Sequence, residues 1–401
     1  MKLLDAVLRR GEPLEAALNA ATRGIENSAD RALAHAIAAE VLRRMPDLDA
    51  LIDSATKNRL PDDGKARMVL RIALVQALSL GTPGHAAVAT ALPLVEGGPR
   101  RLVHGVLGTL LRRGDQLPSP PELLPVVEAR WHEAWGEDMI IAAQQALSEP
   151  PLLDLTLKDS AQTDEWAAKL DGESLAPGHV RVARGRAVAE LPGFNEGAWW
   201  VQNIAASLPA RLMGAGEGQN ALDLCAAPGG KTMQLAAAGW KVTAIDQDRA
   251  RMVRLDDNLS RTSLSAETVI ADLFKWQPQA PASAILLDAP CSATGIFARH
   301  PDVLHRVRPK DIAHMAAIQS RLITRSAEWL QSKGRLVYAT CSLEPEEGEA
   351  QIAVALAAGL RLDPILPQDV VAGFSAHPKG WIRTMPGQGG DGFFIARFVK
   401  D

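Results

Sequence analysis

The sequence is poor in cysteine, in aromatic residues, in uncompensated positive charge and in long apolar runs, and each shortage removes a class of protein. Three cysteines in 401 residues cannot staple a fold with disulfides, and the odd count suits a reducing compartment. Neither Cys291 nor Cys341 has a histidine or a further cysteine at zinc spacing beside it, so no metal is expected. No uncharged apolar stretch is long enough to cross a bilayer. The first residues, Met1 to Pro13, are interrupted by Asp5, Arg9 and Arg10 and read as an amphipathic helix, not as a secretory signal. A cytoplasmic protein without a membrane partner is the expectation. Lysine and arginine number 43 against 47 aspartate and glutamate, a formal charge of -4. No global field therefore draws nucleic acid, and any such binding has to come from local basic patches. Aromatic residues are 4% of the chain, with Tyr338 the single tyrosine, too few for a broad platform on which bases stack. The GxGxxG fingerprint is missing too, which argues against a nicotinamide-dependent dehydrogenase.

What is present is ample material for several cores. Hydrophobic residues make up 47% and charged residues 22% of the chain, the balance of a globular protein, and the length exceeds one ordinary domain. Residues 1–117 read as all-helical. Leu70, Ala73, Leu74, Ala77 and Leu78 fall on one helical face, as do Val103, Val106, Leu107, Leu110 and Leu111, the stripes of a helical core. Pro118, Pro120 and Pro121 then break the pattern and mark a boundary. Residues 118–195 read as a small α+β module, with strands over Leu152 to Leu157 and Val180 to Val188 and a short helix over Asp164 to Leu170. From 196 to 401, short apolar runs alternate with helical stretches, the pattern of an α/β domain with a parallel sheet wrapped by helices. Candidate strands begin at Ala221, Val242, Thr268, Ala284 and Arg335, with a late one from Asp391. Ligands of such sheets gather at the carboxyl ends of the strands.

The residues that follow those strands carry the chemistry. After the first comes Cys225-Ala226-Ala227-Pro228-Gly229-Gly230-Lys231, a glycine turn leading into a helix. Paired glycines let a ligand approach the backbone, and the helix N-terminus favours an anionic group such as a carboxylate. The position of Cys225 inside the turn suggests packing. The second strand ends in Asp246, where an acidic side chain accepts ribose hydroxyls in nucleotide-binding sheets. Asp272 and Asp288 follow the third and fourth. A row of acids suits a hydroxyl-rich, amine-bearing cofactor and would repel a pyrophosphate.

Cys291 follows the fourth strand and Cys341 the fifth, so two thiols stand at the functional rim. A disulfide between them is conceivable, and so is plain burial. The reaction that needs a thiolate beside a methyl donor is alkylation of a pyrimidine carbon, because cytosine C5 is too weak a nucleophile to take the methyl directly. Thiolate addition at C6 makes C5 nucleophilic. Protonation near N3 assists the addition, and a base must then remove the C5 proton.

Taken together, Leu222-Asp-Leu-Cys-Ala-Ala-Pro-Gly-Gly-Lys-Thr232, Leu287-Asp-Ala-Pro-Cys-Ser-Ala-Thr-Gly295, Arg299-His-Pro-Asp302, Tyr338-Ala-Thr-Cys-Ser342, Glu344-Pro-Glu-Glu347 and Asp391-Gly-Phe-Phe394 resemble the RNA 5-methylcytosine methyltransferase family. Within it the chain is similar to the RsmB/Sun branch. The resemblance spans nearly the whole chain and implies a NusB-like helical N-terminal domain, a small RRM-like α+β module and a Rossmann-like class I methyltransferase domain. It implies Cys341 as nucleophile and Cys291 as the group assisting release, with Asp288 beside the cytosine. Cys225 to Lys231, Asp246, Asp272 and Asp288 would line the S-adenosylmethionine site. Lys231 would point to the reacting centre, where its charge would lower a thiol pKa. The implied substrate is a cytidine in a loop of small-subunit (16S) ribosomal RNA, flipped out of any stack. Three positions depart from the family pattern: His104 stands where asparagine is expected, Asn203 where Val-Gln-Asp is usual, and His305 where tryptophan is frequent.

RNA is expected along a path of Arg299, His300, Arg306, Arg308 and Lys310, joined by Arg181, Arg184 and Arg186 of the module and Arg100, Arg101, Arg112 and Arg113 of the helical domain. Phosphate contacts of that kind make binding salt-dependent. Two other readings remain, a transfer-RNA cytosine methyltransferase with the same active site, which only the identity of the substrate separates, and a non-catalytic RNA-binding factor, which the retention of both cysteines and the acidic row disfavours. A monomer is favoured.

Overall fold

The computed structural model describes residues 1–148, 150–387 and 389–401. The chain forms two compact units, Met1–Pro150 with Phe297–Val307, and Pro151–Ile296 with Arg308–Asp401.

The first unit is helical. Its α-helices run over Lys2–Arg10, Leu14–Ala21, Ser28–Arg43, Met45–Ser54, Lys65–Leu78, Gly84–Ala91, Gly97–Arg113, Pro125–Trp135 and Glu137–Ser148. The anticipated stripes turn inward: Leu70, Leu74, Val103, Leu107 and Leu110 join Leu4, Leu42, Leu48 and Ile52 in one core. Beside it the Lys65–Leu78 helix buries two arginines. Arg67 reaches Asp49 at 3.0 Å, and Arg71 meets both oxygens of Asp49 at 2.7 Å. A buried guanidinium is tolerated when carboxylates and carbonyls surround its donors; here Arg67 Nη1 has an ion pair with Asp49 but no well-aligned hydrogen bond.

Residues 297–307 return to this unit as a strap. The Phe297 ring lies 5.1 Å from that of Trp131, and Arg43 donates to the Ala298 carbonyl at 2.8 Å. Asp302 accepts from the Leu14 amide at 3.3 Å and from Arg306 at 2.8 Å. His305 Nε2 donates to the Leu42 carbonyl at 2.7 Å, which gives this departure from the family pattern a structural role. The partition divides the stretch expected as one module over 118–195: the helices Pro125–Trp135 and Glu137–Ser148 group with the helical unit. Trp131, fully buried, is what holds them and the strap together.

The second unit contains two sheets. In the smaller, strands β1 (Leu153–Leu157), β2 (Glu173–Ala176), β3 (His179–Val182) and β4 (Trp199–Val201) lie in the order β2-β3-β1-β4, with all three pairings antiparallel. The helix Thr163–Leu170 covers it. The strand anticipated over Val180 to Val188 stops at Val182 because the chain turns at Gly185, where φ is 119°. β2 is largely exposed and β4 has three residues, so neither carries a readable apolar pattern.

The larger sheet comprises β5 (Asn220–Leu224), β6 (Lys241–Asp246), β7 (Glu267–Ile270), β8 (Ala282–Asp288), β9 (Leu330–Thr340), β10 (Leu360–Leu362), β11 (Ile382–Thr384) and β12 (Phe393–Lys400). The order is β10-β12-β9-β8-β5-β6-β7, with β11 paired to β12. β5 to β9 pair in parallel, as the alternation with helices anticipates, whereas β12 lies antiparallel between β9 and β10. Parallel strands are covered on both faces, so they read as continuous apolar runs. In β8, Ile285, Leu286 and Leu287 are all fully buried. The chain order reverses at β5, between β6 and β8, so the loops after β5, β6, β8 and β9 open onto one rim. Among the described residues no helix is long and apolar enough to cross a membrane, and no cluster of three metal-ligating side chains is found.

One buried histidine ties stability to pH. His179 is fully buried, its Nδ1 3.2 Å from the Thr156 hydroxyl, and burial pushes its pKa down to about 3. The unfolded chain, with a histidine pKa of about 6.5, binds the additional proton, so this contribution is complete above about pH 6.5 and declines as pH falls towards the folded value. Urea unfolding between about pH 7.5 and about pH 4.5 should show falling stability, and His179→Asn should flatten the fall. An unchanged pH slope in the variant would assign the decline to other groups.

Candidate active site

The loop after β5 is built from the inside out. Cys225 takes a positive φ of 63° and Gly229 one of 104°, the latter as cap of the helix Gly230–Ala237. At Gly229 an added Cβ would sit 2.9 Å from Leu255, so the turn requires glycine for both space and conformation. The Ala226 amide donates to the Ile245 carbonyl at 3.1 Å and the Ala227 amide to Asp246 Oδ2 at 3.2 Å. Arg251 donates to the Ala227 carbonyl, and Asn258 to that of Pro228 at 3.1 Å. Asp246 thus fixes the loop through one oxygen and takes the Asp248 amide on the other at 2.9 Å. Each oxygen keeps a further acceptor position for a ligand hydroxyl. Asp272 holds its own turn by accepting from the Phe274 amide at 2.9 Å.

Beneath the loop lies Asp223, fully buried in β5. Thr232 donates to its Oδ2 at 2.5 Å, its Oδ1 finds no partner, and burial raises its pKa to about 7. The motif contains Asp223, but sequence reasoning gave it no role, because an aspartate at a strand centre carries no pattern of its own. A cavity of about 310 Å³ opens on the loop, lined by Ala226, Ala227, Pro228, Gly230, Lys231 and Asp288 with Phe194, Trp200 and Met233. Apolar walls, a helix N-terminus and the paired charges of Lys231 and Asp288 fit a zwitterionic amino acid joined to a nucleoside. Asp246, Asp272 and both reactive-rim thiols lie outside that lining.

The two rim thiols meet. Cys291 Sγ and Cys341 Sγ are 3.4 Å apart, both side chains partly buried. Their surroundings differ. The sulfur contact with Cys341 first, and burial second, raise the Cys291 pKa well above the ordinary thiol range. Lys231 Nζ donates to Asp288 Oδ2 at 2.8 Å and lies 5.5 Å from the Phe393 ring centroid. Burial works against its charge, but attraction to Asp288, that hydrogen bond and Cys341 outweigh it and hold its pKa above the ordinary lysine value. Cys225 is separate from this pair; burial drives its thiol pKa far upward, which fits a packed, inert side chain.

Glycine lets three loops close on one another. The Gly295 amide donates to the Cys341 carbonyl at 2.9 Å, and the Gly392 amide to the Gly295 carbonyl at 2.8 Å. Thr294 Oγ1 accepts from the Leu343 amide at 3.0 Å. A Cβ on Gly295 would fall 1.9 Å from the Gly392 carbonyl oxygen, and one on Gly392 2.6 Å from Leu343. The motifs ending in Gly295 and containing Gly392 are therefore parts of one packing unit around the loop that carries Cys341.

With this geometry in place, the comparisons with known proteins are specific. Residues 210–399 match the family described as 16S rRNA methyltransferase RsmB/F, and residues 1–112 match the NusB family. The ribosomal RNA small subunit methyltransferase B of Erwinia tasmaniensis is 32% identical over an alignment covering 99% of this chain and 96% of that protein. The chain belongs to the ribosomal RNA small subunit methyltransferase B family. It is an S-adenosylmethionine-dependent methyltransferase of small-subunit ribosomal RNA. The Xylella fastidiosa protein of the same name is 34% identical over 100% of this chain and 96% of its own. A crystal structure of a methyltransferase homolog protein from Pyrococcus horikoshii superposes with a TM-score of 0.57 at 26% identity, covering 73% of this chain and 98% of that one.

Against the pattern of this family, the departure at Asn203 has a physical reason. Asp154, buried in β1, accepts from Arg181 at 2.6 and 3.0 Å, from Asn203 Nδ2 at 3.2 Å and from the Ile204 amide at 3.1 Å. Asn203 Oδ1 in turn accepts from the Ala205 and Asp391 amides, both at 3.0 Å. An amide side chain can donate to Asp154 and accept from those amides at once, which an ionised carboxylate cannot. Arg181 is therefore paired with Asp154 inside the module and also donates to the Gly389 carbonyl. On the anticipated RNA path, Arg299, His300 and Arg306 lie in the strap, with Arg306 paired to Asp302 at 2.8 Å, while Arg308 and Lys310 are exposed at the start of the helix Pro309–Trp329 in the catalytic unit.

Gly295→Ala tests the packing of the three loops. The variant should lose roughly 1–3 kcal/mol of stability, as overpacked sites do, and at least about tenfold in methyl transfer, as slightly displaced reacting groups do. Denaturant unfolding and labelled-methyl incorporation measure the two effects, and a variant matching the wild type in both would show that the loops tolerate separation.

Proposed function

We propose that this enzyme methylates carbon 5 of a cytidine in 16S ribosomal RNA through a covalent bond between Cys341 and ring carbon 6. The observation that carries the reading is the asymmetry of the thiol pair: two sulfurs 3.4 Å apart, of which Cys291 has its pKa raised by that contact and by burial, while Cys341 is the one that interacts electrostatically with the Lys231 cation. A thiolate attacks, not a thiol, and a neighbouring cation is the setting in which a reactive cysteine works.

The steps follow from these residues. Cys341 Sγ bonds to C6 and the displaced π electrons raise electron density at C5. Asp288, held by Lys231, would stand near N3 and relay to it a proton whose source is the Lys231 ammonium. S-adenosylmethionine supplies the methyl cation equivalent that C5 accepts. A base, with water the simplest acceptor, then takes the C5 proton while Cys291 assists release; the C–H electrons re-form the C5–C6 double bond and the Cys341–C6 bond breaks, returning the thiolate. Carrying the donor is the role we give to the Cys225 to Lys231 loop, Asp246 and Asp272, with Asp288 at the boundary between cofactor and base.

RNA is held, in this reading, by the helical unit together with exposed cations such as Arg308 and Lys310, and the enzyme acts in the cytoplasm, where its substrate is assembled. The paired Arg306 and Arg181 are weaker candidates than their charge alone suggests, since a guanidinium already neutralised by a carboxylate has less to offer a phosphate.

Purified protein given labelled methyl donor and ribosomal RNA from cells lacking the modification should place one label on cytosine C5. Cys341→Ala should abolish turnover, whereas Cys291→Ala should still attack and accumulate a protein–RNA adduct visible on denaturing gels. Label on adenine or on a cytosine nitrogen would refute the mechanism, and the reverse pattern in the two variants would exchange the cysteines' roles.

A further inference from the structure

Glu347 is fully buried, yet it lies where the two thiol loops meet. Its Oε2 accepts from the Ser292 amide at 2.9 Å and from Gln319 Nε2 at 2.8 Å, while its Oε1 accepts from the Ser342 hydroxyl at 3.0 Å. Ser292 follows Cys291 directly and Ser342 follows Cys341, and their hydroxyls are 3.1 Å apart. The Glu347 carbonyl also accepts from Tyr338 at 2.7 Å and from Thr340 at 3.2 Å, the strand residues leading to Cys341. Gln319, reaching across from the helix Pro309–Trp329, donates as well to the Pro290 carbonyl at 2.8 Å. One residue thus contacts the chain on both sides of Cys341 and, with Gln319, on both sides of Cys291.

A carboxylate is an expensive choice for such a position, because burial raises its pKa against the hydrogen bonds that lower it. Simple filling of the core would be served better by an apolar side chain. What a carboxyl offers here is two oxygens in one rigid plane, each taken by a different loop, so that the loops cannot move apart without stranding an acceptor. No substrate atom can reach it, and its action is indirect.

We propose that Glu347 is a positioning residue that sets the separation of the Cys291 and Cys341 sulfurs for the two halves of the reaction. The inference rests on the assignment of those thiols made above. It requires acceptor geometry more than charge. A glutamine could keep Oε2's role with its oxygen and donate to the Ser342 hydroxyl with its nitrogen, whereas alanine removes both.

The spacing can be read without RNA or methyl donor. Diamide takes two electrons and two protons from a neighbouring pair of thiols, is reduced to the hydrazine, and leaves a sulfur–sulfur bond; peptide mass analysis then gives the rate at which Cys291 and Cys341 cross-link. In Glu347→Ala that rate should fall at least about tenfold, and kcat for methyl transfer about 10–100-fold with KM for RNA within about threefold. Glu347→Gln should stay within about threefold of wild type in both assays. Ser342→Ala, which leaves the buried carboxyl in place, should slow cross-linking by an intermediate amount and serves if Glu347→Ala does not fold. A folded Glu347→Ala, or in its absence Ser342→Ala, that cross-links at the wild-type rate would overturn the proposal. Slowed cross-linking with unchanged methyl transfer would keep the spacing role and refute its link to the reaction.

Discussion

The parallel pairing of β8 with β9 is the constraint on which the rest of the site depends. Its register sets Asp288 opposite Ala339, so the chains leaving the two strands start level with one another. The Ala289 amide extends the ladder by donating to the Ala339 carbonyl at 2.9 Å. From that common edge, Cys291 and Cys341 lie a few residues along adjacent loops and meet at 3.4 Å. A one-residue slip would turn one thiol to the opposite face of the sheet, because side chains alternate along a strand. The slip is prevented by burial on both faces: Ile285, Leu286 and Leu287 on β8 and Leu336, Val337 and Tyr338 on β9 are all fully buried.

Electrostatics then distinguishes two chemically identical groups. Lys231 arrives from the helix after β5, pinned by Asp288, and brings the positive charge of that side of the rim to Cys341. Cys291 has instead the Glu347 carboxyl as a charged neighbour, which further opposes its ionisation. The same strand order that gathers acids at the ends of β6 and β8 therefore also sets an unequal field across the thiols. Fold and reactivity are linked through which loop carries the cation.

Much of this was legible in the chain itself, and the gaps have physical causes. The stripes at Leu70 and Val103 fix the helical core because burial enforces the helical period, and the runs at Ala221, Ala284 and Arg335 are strands because a covered parallel strand has no polar side. The acids and thiols stood out because each follows such a run. The weak points were elements whose pattern is short or shared. Val201 is exposed and ends a three-residue strand, Gly185 cuts another short, and the antiparallel direction of β12 leaves no trace in composition. Trp131 could be read as a core residue, but not as the partner of Phe297, which is 166 positions away. Glu347 and Gln319 were invisible as a pair for the same reason. Motif spacing reports what lies along a strand end, whereas a hydrogen bond between a 3-10 turn and a distant helix has no period to reveal it.

The central claim is a bond between one particular sulfur and one particular ring carbon, and it can be caught directly. In RNA carrying 5-fluorocytidine at the target, the fluorine cannot leave as a proton does, so the reaction stops with enzyme and base joined. Digestion of that complex and mass analysis of the nucleotide-bearing peptide should find the modified base, methylated and attached through Cys341, in wild-type enzyme with S-adenosylmethionine. Attachment through Cys291, or methylated RNA with no covalent complex at all, would contradict the account.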